Sequence, residues 1–188
     1  MIKIIVMTDI HITKKGNKII GLDPMRRFQE VYGAAIADHP DAALIILMGD
    51  LTHHGKIIQY QRLSDALHNA PIPVLPMLGN HDIRENFREV FLDAPTDDAG
   101  FVQKIIDLPD HRLITLDTKD GPFDHHAGSL CPARMAWLKA ALERANGRIP
   151  LVFMHHPPFK TGIIGMDNIN LENGSEVLDL LAQYPTVH

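Results

Sequence analysis

Short apolar runs alternate along the chain with segments whose apolar residues recur at helical spacing. The runs predict buried strands, each ending where polar residues begin. The continuous apolar character of the first run is typical of a strand covered on both faces. The predicted strands are Ile2–Met7, Ala43–Met48, Val74–Leu78, Leu113–Asp117 and Leu151–Met154.

Helices are predicted between these strands, which gives an α/β pattern. Asp23 and Pro24 are a typical helix start, an N-cap residue followed by proline at the first helical position, and this helix runs to Asp38. Its predicted inner face carries Phe28, Val31, Ala35 and Ile36. The other predicted helices are Ile58–Asn69, Arg84–Phe91, Pro132–Ala145 and Gly174–Tyr184. Because no repeat or linker interrupts the pattern, a single domain over residues 1–188 is expected.

Composition narrows the class of protein without identifying a function. Of the 188 residues, 45% are apolar and 22% are charged, and the formal net charge is −5, so no broad basic face for nucleic acid is expected. No stretch approaches the length of a membrane span, and a cytoplasmic location without a membrane partner is the default expectation. The single cysteine, Cys131, excludes an intramolecular disulfide and a cysteine-based zinc site.

Polar motifs with metal-ligand side chains follow four of the predicted strands. In an open α/β sheet the carboxyl ends of the strands meet at one crevice, where ligands bind. The motifs therefore bring together oxygen and imidazole ligands without a thiolate, a set that suits a two-metal hydrolase. They are Asp9-Ile10-His11, Gly49-Asp50, Gly79-Asn80-His81-Asp82 and His155-His156-Pro157.

Several of these residues have the chemistry needed to hold cations. Asp9 and His11 are two positions apart, and in extended backbone such residues point to the same side. The carboxylate of Asp50 has two oxygens and can bridge two metals, while Asn80 offers an amide oxygen and His155 an imidazole nitrogen. Water bound to such cations is acidic enough to supply hydroxide at neutral pH.

Taken in order, the motifs resemble those of the calcineurin-like metallophosphoesterase superfamily, namely D-x-H, G-D, G-N-H-[DE] and H-x-P. The resemblance covers essentially the whole chain and is closest to class III cyclic-nucleotide phosphodiesterases and bacterial glycerophosphodiesterases. Gly79 to Asp82, His155 to Pro158 and the loop from Met166 to Gly174 carry that closer similarity. The resemblance implies a four-layer α/β/β/α sandwich in which two mixed sheets are flanked by helices.

The resemblance also implies a metal centre. Asp9 and His11 would hold the first metal ion, Asp50 would bridge the two ions, and Asn80 and His155 would hold the second. Two ions of Mn²⁺, Fe, Zn²⁺ or Co²⁺ suit such mixed ligands, and the sequence does not choose among them.

Three further histidines are candidates for contact with the substrate. By the resemblance, His81 would be a catalytic residue beside the phosphate, where it stabilises charge or protonates the leaving group. His53, three residues after the bridging aspartate, and His156, the second member of its histidine pair, are candidates for lining the substrate site.

One motif of the superfamily, a closing G-H-x-H, is absent from this sequence. In the superfamily its two histidines supply one ligand to each metal ion. The resemblance therefore predicts a C-terminally incomplete domain, which lacks C-terminal strands and is one ligand short at each metal. Retention of both metals and of activity is not decided by the sequence.

The predicted function is hydrolysis of small phosphodiesters, either 3',5'-cyclic nucleotides or glycerophosphodiesters, by a hydroxide that two metal ions activate. The missing motif keeps an alternative open, an inactive or weakly active relative that acts as a binding module. A DNA nuclease of the same fold is a further alternative, which the acidic balance disfavours. A homo-oligomer is also left open.

Overall fold

Three parallel strands form the sheet in the first half of the chain. β1 (Ile4–Met7), β2 (Leu44–Met48) and β3 (Val74–Met77) lie side by side in that order. Ile45 of the central strand lies opposite Ile5 on one side and Val74 on the other. The computed structural model describes residues 2–122 and 125–188, which form two compact units, one ending at Ala94 and one starting at Pro95.

The first strand is less covered than its apolar sequence predicts. β1 lies at the edge of its sheet, and Val6 is 43% exposed. The prediction of a strand covered on both faces was therefore wrong for β1, whereas Leu44 to Leu47 of central β2 are all buried. Position in the sheet, which composition does not encode, decides this difference.

Three helices belong to the first unit: α1 (Pro24–Asp38), α2 (Ile57–Leu67) and α3 (Arg84–Val90). The predicted start of α1 is confirmed, since the Asp23 carboxylate accepts a hydrogen bond from the Met25 N–H at 3.0 Å. Met25, Phe28 and Tyr32 form the buried face, but Val31 is 52% exposed. Placing Val31 on the inner face was therefore wrong. It lies one residue, or about 100°, away from Tyr32 around the helix.

The second unit contains a mixed sheet. β4 (Lys104–Asp107) pairs antiparallel with β5 (His111–Thr115), which pairs parallel with β6 (Ile149–Phe153). Helices α4 (Pro132–Glu143) and α5 (Gly174–Leu181) pack their apolar residues on this sheet. A 3₁₀ turn at Met166–Asn168 lies between β6 and α5.

The sequence analysis missed β4. Only Ile105 and Ile106 are apolar in this strand, and charged Lys104 and Asp107 flank them, so its apolar run is too short to predict a strand. Its pairing with β5 stabilises it, because Ile105 lies opposite Ile114 and Ile106 opposite Leu113.

The backbone of His188 continues the second sheet beyond β6. Its N–H donates to the Pro150 carbonyl at 3.0 Å, and its carbonyl accepts from the Val152 N–H at 2.8 Å. This is the hydrogen-bond pattern of parallel pairing.

None of the helices described for residues 2–122 and 125–188 combines the length and apolar character needed to cross a bilayer. The longest of them, α1, has 15 residues.

Candidate metal centre

The first unit brings together three of the predicted metal ligands, Asp9, His11 and Asp50, which we call the acidic set. One ligand atom of each lies within 4.8 Å of those of the other two. His11 Nε2 is 3.5 Å from Asp50 Oδ2 and 3.8 Å from Asp9 Oδ1. Asp50 is buried, whereas the Asp9 side chain is 54% exposed. The set therefore contacts solvent at Asp9.

All three residues of the acidic set have left-handed backbone, with φ of 56° at Asp9, 46° at His11 and 50° at Asp50. Such values are uncommon for residues other than glycine, cost on the order of 1–3 kcal/mol each and concentrate at functional sites. Asp9 and His11 are therefore not extended, and the reason given for their convergence was wrong. A tightly turned loop, not strand alternation, places the two side chains together.

The loops that follow β1 and β2 run side by side. The Asp9 N–H donates to the Gly49 carbonyl at 3.2 Å, and the His11 N–H donates to the Asp50 carbonyl at 2.9 Å. The pairing of the two strands thus continues beyond their ends. These bonds hold both ligands of the first loop next to Asp50.

The loop after β3 contributes Asn80 and His81. Asn80 is 4% exposed. The backbone N–H of His81 donates to Asp50 Oδ1 at 2.9 Å, and its ring Nδ1 lies 2.9 Å from the carbonyl oxygen of His53. Because a carbonyl only accepts, Nδ1 carries a hydrogen. In the neutral ring the lone pair is then on Nε2.

Asp82, the last residue of the same motif, organises both loops, and no role was predicted for it. Oδ2 of this fully buried carboxylate accepts from the N–H groups of Leu51 and Gly79, each at 3.0 Å. Oδ1 accepts from the Thr52 N–H and hydroxyl at 3.2 Å and from the Tyr60 hydroxyl at 2.9 Å. Burial raises the pKa of Asp82 to about 6, although these hydrogen bonds oppose the rise. Its place in the motif was the only sequence signal.

His53 lies beside the acidic set rather than at a distance from it. Its ring stacks on that of His81, with centroids 5.3 Å apart and an interplanar angle of 12°. Burial, followed by the neighbouring charge of His54, lowers the pKa of His53. Its contact with substrate stays a prediction.

His155 and His156 follow β6 in the second unit. His156 is 1% exposed, and its Nδ1 lies 2.7 Å from the Thr118 hydroxyl oxygen. Burial, followed by the charge of His155, lowers the pKa of His156 to about 3. A Cβ at Gly128 would come within 2.4 Å of its Nδ1, so only glycine fits there. Such burial does not support a substrate contact for His156, and the ligand role of His155 stays a prediction.

The acidic set fits the divalent ions expected from the sequence. Two carboxylates and one imidazole are ligands that Mn²⁺, Fe, Zn²⁺ and Co²⁺ all accept. The strained backbone holds these side chains close together, as expected for a site organised before the ion arrives.

The family model for calcineurin-like phosphoesterases matches residues 2–187. The chain belongs to this family. The match includes every residue of the acidic set, the Asn80-His81-Asp82 loop and the histidine pair after β6.

Two curated relatives of this calcineurin-like phosphoesterase resemble nearly all of the chain. A probable cyclic nucleotide phosphodiesterase of Rhodopseudomonas palustris is 40% identical over 182 residues, which cover 96% of this chain and 66% of that protein. A probable glycerophosphodiester phosphodiesterase, GpdQ, of Arcobacter nitrofigilis is 29% identical and covers 98% of this chain and 68% of its own length. The chain thus spans about two thirds of the length of these relatives.

A solved structure confirms the fold class. The dimetal phosphatase from Danio rerio matches 99% of this calcineurin-like phosphoesterase and 79% of its own chain, with a TM-score of 0.79 at 13% identity. The predicted α/β fold with two sheets flanked by helices is therefore confirmed.

Proposed function

We propose that this chain is a metal-dependent phosphodiesterase of small phosphodiesters. The observation that carries the proposal is the acidic set, in which three ligand side chains with strained backbone converge at the ends of adjacent strands. Family membership supports the same chemistry. The names of the two relatives favour cyclic nucleotides or glycerophosphodiesters as substrates.

Each residue of the site has a proposed role in metal binding. Asp9, His11 and Asp50 would hold a divalent cation, and Asp50 is oriented for this because the His81 N–H occupies its Oδ1. Bound cations would supply an acidified water as nucleophile and positive charge for the phosphoryl oxygens. Asn80 and His155 as ligands of a second ion, and therefore a dinuclear centre, stay predictions from the family resemblance.

We assign proton donation to His81. Its Nδ1–H is held by the His53 carbonyl, so the protonated ring presents Nε2–H to an oxygen atom that leaves phosphorus. General acids of this kind contribute about 10²–10⁴-fold to a rate.

The test of the metal site is hydrolysis of bis(p-nitrophenyl) phosphate with added Mn²⁺ by the wild-type chain and by Asp50→Asn. The asparagine keeps an oxygen for the His81 N–H but loses the charge, so activity is expected to fall by about 100-fold or more, together with metal content. Asp93→Asn, an exposed carboxylate of the same unit, is the matched control. A folded wild-type chain that binds metal yet hydrolyses no diester would overturn the proposal and favour a binding module.

The role of His81 is tested by comparing two diesters whose leaving groups differ in their need for a proton. His81→Asn is expected to slow a diester with an alkyl leaving group by about 10²-fold or more, because an alkoxide needs a proton as it departs. The same variant is expected to slow bis(p-nitrophenyl) phosphate much less, since p-nitrophenolate leaves unprotonated. If His81→Asn slowed the hydrolysis of both substrates equally, His81 would not be the proton donor. Comparing kcat/KM for a cyclic nucleotide and a glycerophosphodiester then identifies the preferred class.

A further inference from the structure

Three histidine rings of the first unit, His11, His53 and His81, form a cluster that we call the histidine triad. One ring nitrogen of each lies within 4.8 Å of those of the other two. The ring centroids are 4.8 Å apart for His11 and His81, and 5.4 Å apart for His11 and His53. Three imidazoles around one zinc ion at 2.0–2.1 Å place their nitrogens about 3.3 Å apart. The nitrogens of the triad lie within 4.8 Å of one another, and the His53 and His81 rings are nearly parallel at 12°, so closing the triad around one ion requires the His53 ring to rotate out of its stack on His81.

His53, the second member of the triad, has a ring nitrogen without a hydrogen-bond partner among the described residues. This nitrogen, Nδ1, is buried, and most buried polar atoms in proteins have a hydrogen-bond partner. A cation bound through Nδ1 would give this nitrogen a partner.

His81 has the arrangement of a metal-ligating histidine. Its Nδ1–H donates to the His53 carbonyl at 2.9 Å, so Nε2 carries the lone pair when the ring is neutral. Histidine ligands typically donate their other ring N–H to a carbonyl or carboxylate, which fixes the tautomer. The His53 residue thus contributes twice, with its ring and with its carbonyl.

The triad and the acidic set differ in chemistry but share one residue, His11. Three neutral imidazoles suit Zn²⁺, Ni²⁺ or Cu²⁺, whereas carboxylates favour harder ions such as Mn²⁺. A neutral imidazole has one lone pair and serves one ion at a time. An ion in the triad therefore removes His11 from the acidic set.

We propose that the histidine triad is a second cation site, selective for zinc-like ions, which competes with the acidic set for His11. Occupation of this site also engages His81. If the proposed function holds, zinc bound at the triad inhibits diester hydrolysis, and this consequence alone rests on that function.

The binding claim is tested on the full chain with Zn²⁺ and Co²⁺, without substrate. Zinc affinity is measured by competition with a chromophoric chelator for the wild type, His53→Asn and His54→Asn. His54 is the matched control, because it is the next residue and an exposed histidine outside the triad. His53→Asn is expected to lose the tighter zinc site or weaken it by about tenfold or more, and His54→Asn to leave it unchanged.

Two further measurements separate ligand loss from a folding defect. His53→Cys supplies a thiolate at the same position and is expected to restore zinc binding, whereas a merely structural role would not be rescued by cysteine. Co²⁺ at a three-imidazole tetrahedral site absorbs visible light far more strongly than six-coordinate Co²⁺, and this absorption is expected to disappear only in His53→Asn. Zinc affinity and cobalt spectra that are the same in all variants would overturn the proposal.

The inhibition arm uses the Mn²⁺-loaded chain and bis(p-nitrophenyl) phosphate. With each variant normalised to its own rate without zinc, His53→Asn is expected to need about tenfold more zinc for half inhibition than the wild type or His54→Asn. A chain that binds zinc through His53 but hydrolyses nothing would refute the proposed function and leave the cation site standing. Equal zinc sensitivity of all three proteins would refute competition.

Discussion

Buried charges stabilise the loops beside both sheets, but the second unit adds buried cations to a buried carboxylate. In the first unit the carboxylate of Asp82 accepts from the backbone N–H groups of Leu51, Thr52 and Gly79. In the second unit the buried carboxylate of Asp117 accepts from the N–H groups of Val102 and Lys119, and in addition the guanidinium of Arg134 donates to backbone carbonyls.

A second buried cation acts in the same way in the second unit. The Lys119 ammonium donates to the carbonyls of Asp120, Pro122 and His125 at 3.0–3.3 Å, and both Lys119 and Arg134 are at most 5% exposed. The sign of the buried charge thus follows which backbone groups a loop leaves without partners. Turned loops beside the acidic set direct N–H groups to a carboxylate, whereas the loop after β5 directs one N–H to Asp117 and several carbonyls to the two cations.

The largest loss of stability is expected at Asp82, because this one carboxylate accepts hydrogen bonds from several donors. Asp82→Asn leaves at least two N–H groups facing an amide NH₂, so the free energy of unfolding is expected to fall by about 4 kcal/mol. Hydrogen exchange is expected to accelerate at the Leu51 and Gly79 amides, and metal binding to weaken. Asp93→Asn is the control, and a loss below about 1 kcal/mol would contradict the role of Asp82.

A slightly smaller loss of stability is expected when the second unit loses the Arg134 guanidinium. Arg134→Met removes the buried donor to the carbonyls of Asp117 and Lys119 and is expected to cost about 3 kcal/mol. Trp137, the single tryptophan, lies on the same helix and reports the transition by fluorescence. Exposed Lys139→Met on α4 is the control. Because the acidic set belongs to the first unit, Mn²⁺ binding is expected to be unchanged in Arg134→Met. Weaker Mn²⁺ binding in this variant would show that the hydrogen bonds of Arg134 and those of Asp82 do not act independently.

The smallest expected change in stability comes from removing one hydroxyl group, and two tyrosines of the first unit allow a comparison. The buried Tyr60 hydroxyl donates to Asp82 and accepts from the Ile83 N–H at 2.8 Å, so Tyr60→Phe is expected to cost about 1–2 kcal/mol. The Tyr32 hydroxyl is buried with no hydrogen-bond partner among the described residues. Tyr32→Phe is therefore expected to be neutral or slightly stabilising. The free energy of unfolding is measured in urea for both variants. Equal losses for Tyr60→Phe and Tyr32→Phe would show that the Tyr60 hydroxyl does not stabilise the protein through its hydrogen bonds to Asp82 and Ile83.

Much of the fold was predictable because its signals are local. Asp23 and Pro24 identified the start of α1, and the apolar run of β2 identified a buried strand. β4 was missed because its signal is not local, since a two-residue apolar core becomes a strand only through its pairing with β5. Val31 was misplaced because an apolar residue one position from the buried face looks the same in sequence as one on it.

The proximity of Asp9, His11 and Asp50 was predictable, but the way in which their loops are held together was not, and their binding of metal stays a prediction. The strand-end motifs named Asp9, His11 and Asp50 from residue types and positions alone. Their left-handed backbone was not foreseen, because φ depends on the bonds that tie the first loop to Gly49 and Asp50. The organising role of Asp82 was also missed, since its donors lie up to 31 residues away in sequence.

By itself, the sequence determined which chemistry is available: carboxylates, an amide and imidazoles placed where buried strands end, without a usable thiol pair. Only the tertiary structure decided which of these groups meet. It joined His53 to His11 and His81, buried His156 against Thr118, and gave Asp82 its donors. The physical reason is that strand ends and apolar runs are encoded by neighbouring residues. The partners of a buried polar group are instead chosen by packing among segments far apart in the chain.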